Sequence, residues 1–127
     1  MPPEAVGNQF AHHHPSHQQV VVQALRTRLP GVEISLSSEV QPEFPEYERF
    51  STNVLNAYLQ PLVSRYMNNL AAALADRARD AKIGISQSSG GLMSIERAAA
   101  VPIRTALSGP AAGVIGAVAL GRLSGHT

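Results

Sequence analysis

The stretch Leu107-Ser-Gly-Pro-Ala-Ala-Gly-Val-Ile-Gly-Ala-Val-Ala-Leu-Gly121 is apolar and carries no charged residue. It reads as a buried helix whose start is written in the sequence. Ser108 can accept a hydrogen bond from a free first-turn amide, and Pro110 brings the fixed φ and missing N–H that suit the first helical position. Ala111 and Ala112 propagate the turn, and Gly125 closes the helix. Gly113, Gly116 and Gly121 each cost roughly 1 kcal/mol against alanine inside a helix, so they demand a reason. Glycines three residues apart lie on nearly one face, where another backbone or a ligand can approach the helix axis closely. About thirteen apolar residues fall short of the roughly twenty that span a bilayer, so the stretch is a core helix and not a membrane anchor.

Upstream of it, Ile103 to Leu107 reads as a strand feeding the helix, set off by Val101-Pro102. Ser94 with Arg97 opens a short helix, Ser94 to Ala100, in which Glu96 favours the first turn. Ile83 and Ile85 give another short strand, and Gly90-Gly91 forms a sharp turn beyond it. The longest helix is predicted over Tyr47 to Arg79, with Leu55, Tyr58, Leu59, Leu62, Val63, Tyr66, Met67, Leu70 and Leu74 as its apolar stripe. Pro61 should kink or divide it, because the proline ring clashes with the carbonyl of Ala57. Ser38 to Glu46, with Pro42 and Pro45, reads as an irregular loop. Val32, Ile34 and Leu36 alternate with polar residues as a half-buried strand does. From Pro15 a helix is predicted, with Val20, Val21, Ala24, Leu25 and Leu29 as its apolar face and Pro30-Gly31 as its stop. Residues 1–14 are polar and too weakly patterned for an assigned strand.

Composition narrows the class. The chain has 127 residues, 44% hydrophobic and 15% charged, enough for one modest domain. Ten basic and nine acidic residues are interspersed, so no basic stripe points to nucleic acid or to an anionic membrane. The absence of cysteine excludes disulfides, thiolate metal sites and a cysteine nucleophile. The N-terminus lacks the basic and apolar regions of a secretory signal, and a cytoplasmic location is expected.

Candidate chemistry lies in four places. Gln87-Ser-Ser-Gly-Gly91 after a strand can set backbone N–H groups around an anion or a substrate carbonyl, or be a plain tight turn. It has neither a P-loop lysine nor the Gly-x-Gly-x-x-Gly spacing. His12, His13, His14 and His17 can collect a metal, but an exposed terminus accounts for them better, and no metal site is assigned. Glu39, Glu46, Glu48 and Arg49 read as a solvated loop and helix start before they read as a carboxylate site. A serine–histidine–aspartate triad has no support, because the two aspartates sit together in Asp76-Arg-Ala-Arg-Asp80 and no serine lies in a nucleophile elbow.

Four blocks together resemble the hydantoinase A/5-oxoprolinase family: Leu36-Ser-Ser-Glu-Val40, Tyr47-Glu-Arg-Phe-Ser-Thr-Asn-Val-Leu-Asn-Ala-Tyr58, Gln87-Ser-Ser-Gly-Gly-Leu-Met-Ser94 and Ser108-Gly-Pro-Ala-Ala-Gly-Val-Ile-Gly-Ala117. The likeness runs from about Pro15 to Leu123. It implies an α/β fold, part of one actin-like ATPase (ribonuclease H-like) lobe, with short strands, packed helices and one long helix. It implies an ATP-dependent enzyme that opens cyclic amides such as hydantoins or 5-oxoproline, with carboxylases among the relatives. It implies Gln87, Ser88, Gly90 and Gly91 as cleft-lining residues, and Ser108, Gly109, Pro110, Gly113 and Gly116 as an interlobe hinge helix. Three departures stand out. Only Pro15 and His17 keep the family's Asn-Pro-x-His turn, Ser89 replaces a more usual asparagine, and neither Asp-x-Gly-Gly/Thr-type loop for ATP and its divalent metal is present.

The chain is therefore expected to be a fragment of a larger enzyme, with residues 1–14 as a weakly structured lead and 15–127 as part of the family's domain. The remainder of that chain or a partner subunit would complete it. No cofactor is expected for this chain alone. The competing expectation is a non-catalytic remnant or interaction module that folds against a partner covering the glycine helix.

Overall fold

Ile34-Ser35-Leu36 takes the extended form its alternation predicts, as β2 (Ile34–Leu36). It pairs in parallel with β1 (Glu4–Val6), Val6 lying opposite Leu36. The computed structural model describes residues 3–8, 13–43, 45–75, 77 and 81–125. Strand β1 lies in the lead that the sequence leaves without an assigned strand, since three residues are too few for alternation to register. Parallel neighbours need a crossover, and α1 (Ser16–Arg28) lies between the two strands in the chain. A small core joins Val6, Val22 and Leu36, with Leu25 and Ile34 packed against it.

The buried face of α1 differs from the predicted stripe. Val20 is 69% exposed, whereas Gln18 and Val22 are buried. Gln18 explains the rotation. Its Nε2 donates to the Ser37 hydroxyl at 2.8 Å and its Oε1 accepts from the Ser38 amide at 3.3 Å, fixing the helix against the end of β2. Ser37–Val40 forms a single helical turn, α2, where the sequence suggests loop; the buried Val40 anchors it.

Helix α3 (Glu46–Ala75) runs unbroken through Pro61, so the proline does not divide it. Of the residues that the sequence adds to its end, Asp76, Ala78 and Arg79 lie outside the described set. The predicted stripe holds only in part: Met67 is buried and Leu59, Val63, Leu70 and Leu74 are half-buried. Leu55, Tyr58, Leu62 and Tyr66 are exposed, while Arg49, Asn53, Asn56, Ala57, Gln60 and Met67 are buried. Polar groups face inward because the strand ends offer them partners. Asn53 Nδ2 donates to the carbonyls of Val6 and Ser35, and Ser35 Oγ donates to Asn53 Oδ1 at 2.7 Å while accepting from Asn56 Nδ2 at 2.9 Å.

The chain forms two compact units, Met1–Val63 and Ser64–Thr127, and α3 contributes to both. In the second, β3 (Ile85–Ser86) and β4 (Leu92–Met93) make an antiparallel hairpin. Helix α4 (Ile95–Ala100) starts as predicted: Ser94 is its N-cap and its hydroxyl accepts from the Arg97 amide. The Ser64 hydroxyl of α3 donates to the Ala99 carbonyl at 2.9 Å. The strand predicted for Ile103–Leu107 does not form. Pro102–Thr105 winds instead into a 3₁₀ turn, with proline at its start and the Thr105 hydroxyl bonded to the Pro102 carbonyl. Helix α5 (Ser108–Leu123) completes the unit. The architecture is α/β, mostly helical, with two two-stranded sheets among the described residues. No helix among them is long and apolar enough to cross a membrane.

Candidate functional site

Gly90 and Gly91 take φ of 87° and 78°, conformations open to glycine and strained for other residues, and this lets the chain reverse between β3 and β4. The turn is closed from within. The Gln87 amide donates to the Gly91 carbonyl, the Gly90 amide to the Gln87 carbonyl, and the Ser88 amide to the Arg104 carbonyl of the 3₁₀ turn at 2.7 Å. Three amides that might have cradled an anion are thus used inside the protein, which favours the tight-turn reading of the backbone.

The turn meets α5. A Cβ added at Gly90 would sit 3.0 Å from Ile115 Cδ1. Ser86, Gln87, Gly90, Gly91 and Leu92 share with Ala112 and Ile115 a largely apolar pocket of about 220 Å³. The structure brings Gln87, Gly90 and Gly91 together there; Ser88 is exposed and does not line it. The Gln87 carboxamide, donor and acceptor in one group, can pair with an amide ligand.

Helix α5 begins differently from the sequence reading. Its N-cap is Leu107, left-handed at φ 58°, and Ser108 is the first helical residue instead of the cap. Pro110 is the third helical residue rather than the first. The helix is not buried: none of its residues is, and Val114, Ile115, Val118, Leu120 and Leu123 are all about half exposed or more. Ser108, Gly109, Pro110, Gly113 and Gly116 line none of the described pockets in this unit. A Cβ added at Gly109, Gly113 or Gly116 meets nothing within 4 Å, so the close approach these glycines permit has no occupant among the described residues.

The sequence reading sets Glu46 and Arg49 aside as part of a solvated loop and helix start, whereas the structure places both at a second site. Beyond the carboxyl ends of β1 and β2, Gly7, Asn8, Ser37, Glu46, Arg49 and Phe50 line a crevice of about 160 Å³. Arg49 is only 3% exposed. Its Nη1 donates to the Glu43 carbonyl at 2.9 Å and its Nη2 to the Asn8 carbonyl at 3.0 Å. A Cβ at Gly7 would run into the half-exposed Phe50 ring, which would have to shift to admit it. An arginine in a first helical turn gives no sequence signal of burial, because the acceptors that hold it are backbone carbonyls. His13, His14 and His17 are exposed and His12 lies outside the described residues. No group of three metal-binding side chains occurs among those described.

The sequence model of the hydantoinase/oxoprolinase family matches residues 49–127. The chain belongs to the hydantoinase/oxoprolinase family. An uncharacterised protein of Methanocaldococcus jannaschii is 40% identical over 114 residues, 88% of this chain and 17% of that protein. The 5-oxoprolinase of Saccharomyces cerevisiae is 37% identical over 102 residues, covering 80% and 8%. The crystal structure of the ATP-dependent caprolactamase from Pseudomonas jessenii superposes with a TM-score of 0.63 at 30% identity, over 80% of this chain and 16% of that one. The chain therefore spans under a fifth of the length of these relatives. The hydantoinase/oxoprolinase match takes in α4, α5, the Gln87 turn and nearly all of α3, the elements that build the apolar pocket among them.

Proposed function

We propose that this chain is part of a longer ATP-dependent enzyme that opens cyclic amides of the hydantoin or 5-oxoproline type, and that residues 15–127 supply scaffold, part of the cleft and an interlobe helix in an actin-like lobe. Family membership carries the reading, and the caprolactamase fold likeness supports it. Gln87, Gly90 and Gly91 line the cleft, with the exposed Ser88 beside them, and the Gln87 carboxamide pairs with the ring amide. Helix α5, with Ser108, Gly109, Pro110, Gly113 and Gly116, is the moving element, its apolar face covered by the remainder of the enzyme or a partner subunit. An amide is a poor electrophile, and coupling to ATP supplies the drive for opening it. The amides of Gln87, Ser88 and Gly90 are engaged within the protein, and the sequence holds neither Asp-x-Gly-Gly/Thr-type loop for ATP and its metal. On this reading nucleotide and divalent ion sit on other parts of the enzyme, and the proposed location is the cytoplasm.

A second reading, an interaction module without catalysis, draws on the same uncovered face of α5. Grafting residues 15–127 in place of the matching segment of the Pseudomonas jessenii caprolactamase separates the two. The expected result is ATP-dependent ring opening by the chimera, lowered at least about tenfold by Gln87→Ala. A folded chimera that opens no ring, or ATP turnover by this chain alone, overturns the enzyme-part reading.

A further inference from the structure

The outward face of α3 is apolar where a surface helix is ordinarily charged. From Phe50 to Ser64 the helix holds no charged residue, yet Tyr47, Tyr58 and Leu62 are each more than two-thirds exposed, and Val54, Leu55 and Tyr66 about half exposed or more. These positions do not scatter. Glu48, Ser51, Leu55, Tyr58, Leu62 and Arg65 alternate three and four apart along one continuous helix, which is the seam spacing of paired helices. Tyr47, Val54 and Tyr66 flank that seam, and at 3.6 residues per turn all nine fall within about a third of the helix circumference. Ser51 is half-buried and the other eight are exposed.

The seam is also symmetric. About a point between Asn56 and Ala57, Leu55 mirrors Tyr58, Ser51 mirrors Leu62, Glu48 mirrors Arg65 and Tyr47 mirrors Tyr66. An isologous pair, in which residue i of one copy meets j of the other and j meets i, needs that order. Two such helices set antiparallel bring each Leu62 over a small Ser51, stack Leu55 on Tyr58 and close both ends with an acid against a base. Asn56 and Ala57 are buried on the opposite face and leave the axis clear. A tyrosine buries roughly 150–250 Å², so three on each copy supply about half of the ~800 Å² per partner of a standard interface. Val54, Leu55 and Leu62 extend it.

We propose that this face of α3 joins two copies of the chain antiparallel about a two-fold axis, with Leu55 against Tyr58 of the second copy and Glu48 against its Arg65. The inference stands apart from the ring-opening reading, since it is tested by mass and not by turnover. The test is sedimentation equilibrium of the full chain across the micromolar range. A monomer–dimer equilibrium is expected, weakened about a hundredfold by Tyr58→Glu, with the circular dichroism of the monomer unchanged. Glu48→Arg or Arg65→Glu alone should weaken the dimer about tenfold, because each sets like charges together at both ends, and the two changes combined should restore it. A parallel pair would set each residue against itself, so single changes without effect overturn the proposal. So does a dimer that Tyr58→Glu leaves intact, which would sit on another face such as α5. A chain that stays monomeric overturns it too, and leaves the face to the rest of the enzyme.

Discussion

Asn53 donates from Nδ2 to the carbonyls of Val6 and Ser35 and accepts the Ser35 hydroxyl, so a single carboxamide ties β1, β2 and α3 together. Strands of three residues have little ladder of their own. Asn53→Ala strands two buried carbonyls and a hydroxyl, and should cost about 3 kcal/mol, read as a lowered urea midpoint with an unchanged slope. Ser94 is a simpler case. Its hydroxyl caps α4, and the hydrogen bond it gives Glu96, joined by that residue's own backbone amide, holds the Glu96 carboxyl below its ordinary value. A carboxyl with a lowered folded-state pKa contributes stability above its ordinary pKa and loses it as the pH falls through the lowered value. Ser94→Ala should therefore raise the Glu96 pKa in an NMR titration and remove about 1 kcal/mol of capping stability. Ser94 as a cap was legible in the sequence, because capping needs only local spacing. Asn53 was not, since its partners lie 18 and 47 residues away.

Helices α1, α3 and α5 were each legible as helices, but which of their residues are buried was legible only in part. In α1 and α3 the strand ends supply hydrogen-bond partners, so Gln18, Asn53 and Asn56 turn inward and Val20, Leu55 and Tyr58 turn out. Periodicity reports where apolar side chains fall, and it is silent about buried polar networks. The Gln87 turn was legible because its glycines mark it; the burial of Arg49 was not, since the sequence weighed it only as part of a solvated helix start. The strand predicted at Ile103 failed because Pro102 begins a 3₁₀ turn there. For α5 the glycines provide a test. With nothing within 4 Å of an added Cβ at Gly113, Gly113→Ala should stabilise this chain by up to about 1 kcal/mol in thermal melts. In the full-length enzyme the same change should reduce activity, because there another backbone would fill that space.

The two units divide at Val63 and Ser64, a boundary with no break in sequence pattern, since it falls inside a continuous helix. Stability should be uneven along the chain. Helix α5 has no buried residue, and a lone helix of sixteen residues is marginal in water. Hydrogen exchange should find the amides from Val114 to Leu120 at least ~100-fold less protected than those from Asn53 to Ala57. Equal protection would mean that α5 has found a cover, such as a second copy of the chain.

The contact between Gly7 and Phe50 also bears on how this chain can change over generations. Because a Cβ at position 7 would run into the edge of the Phe50 ring, the two positions are coupled: a side chain at 7 needs the ring to move or to shrink. A larger residue at 7 is accommodated most easily after a smaller one at 50, and that order of events shrinks the apolar wall of the crevice before it alters the residue that follows the strand.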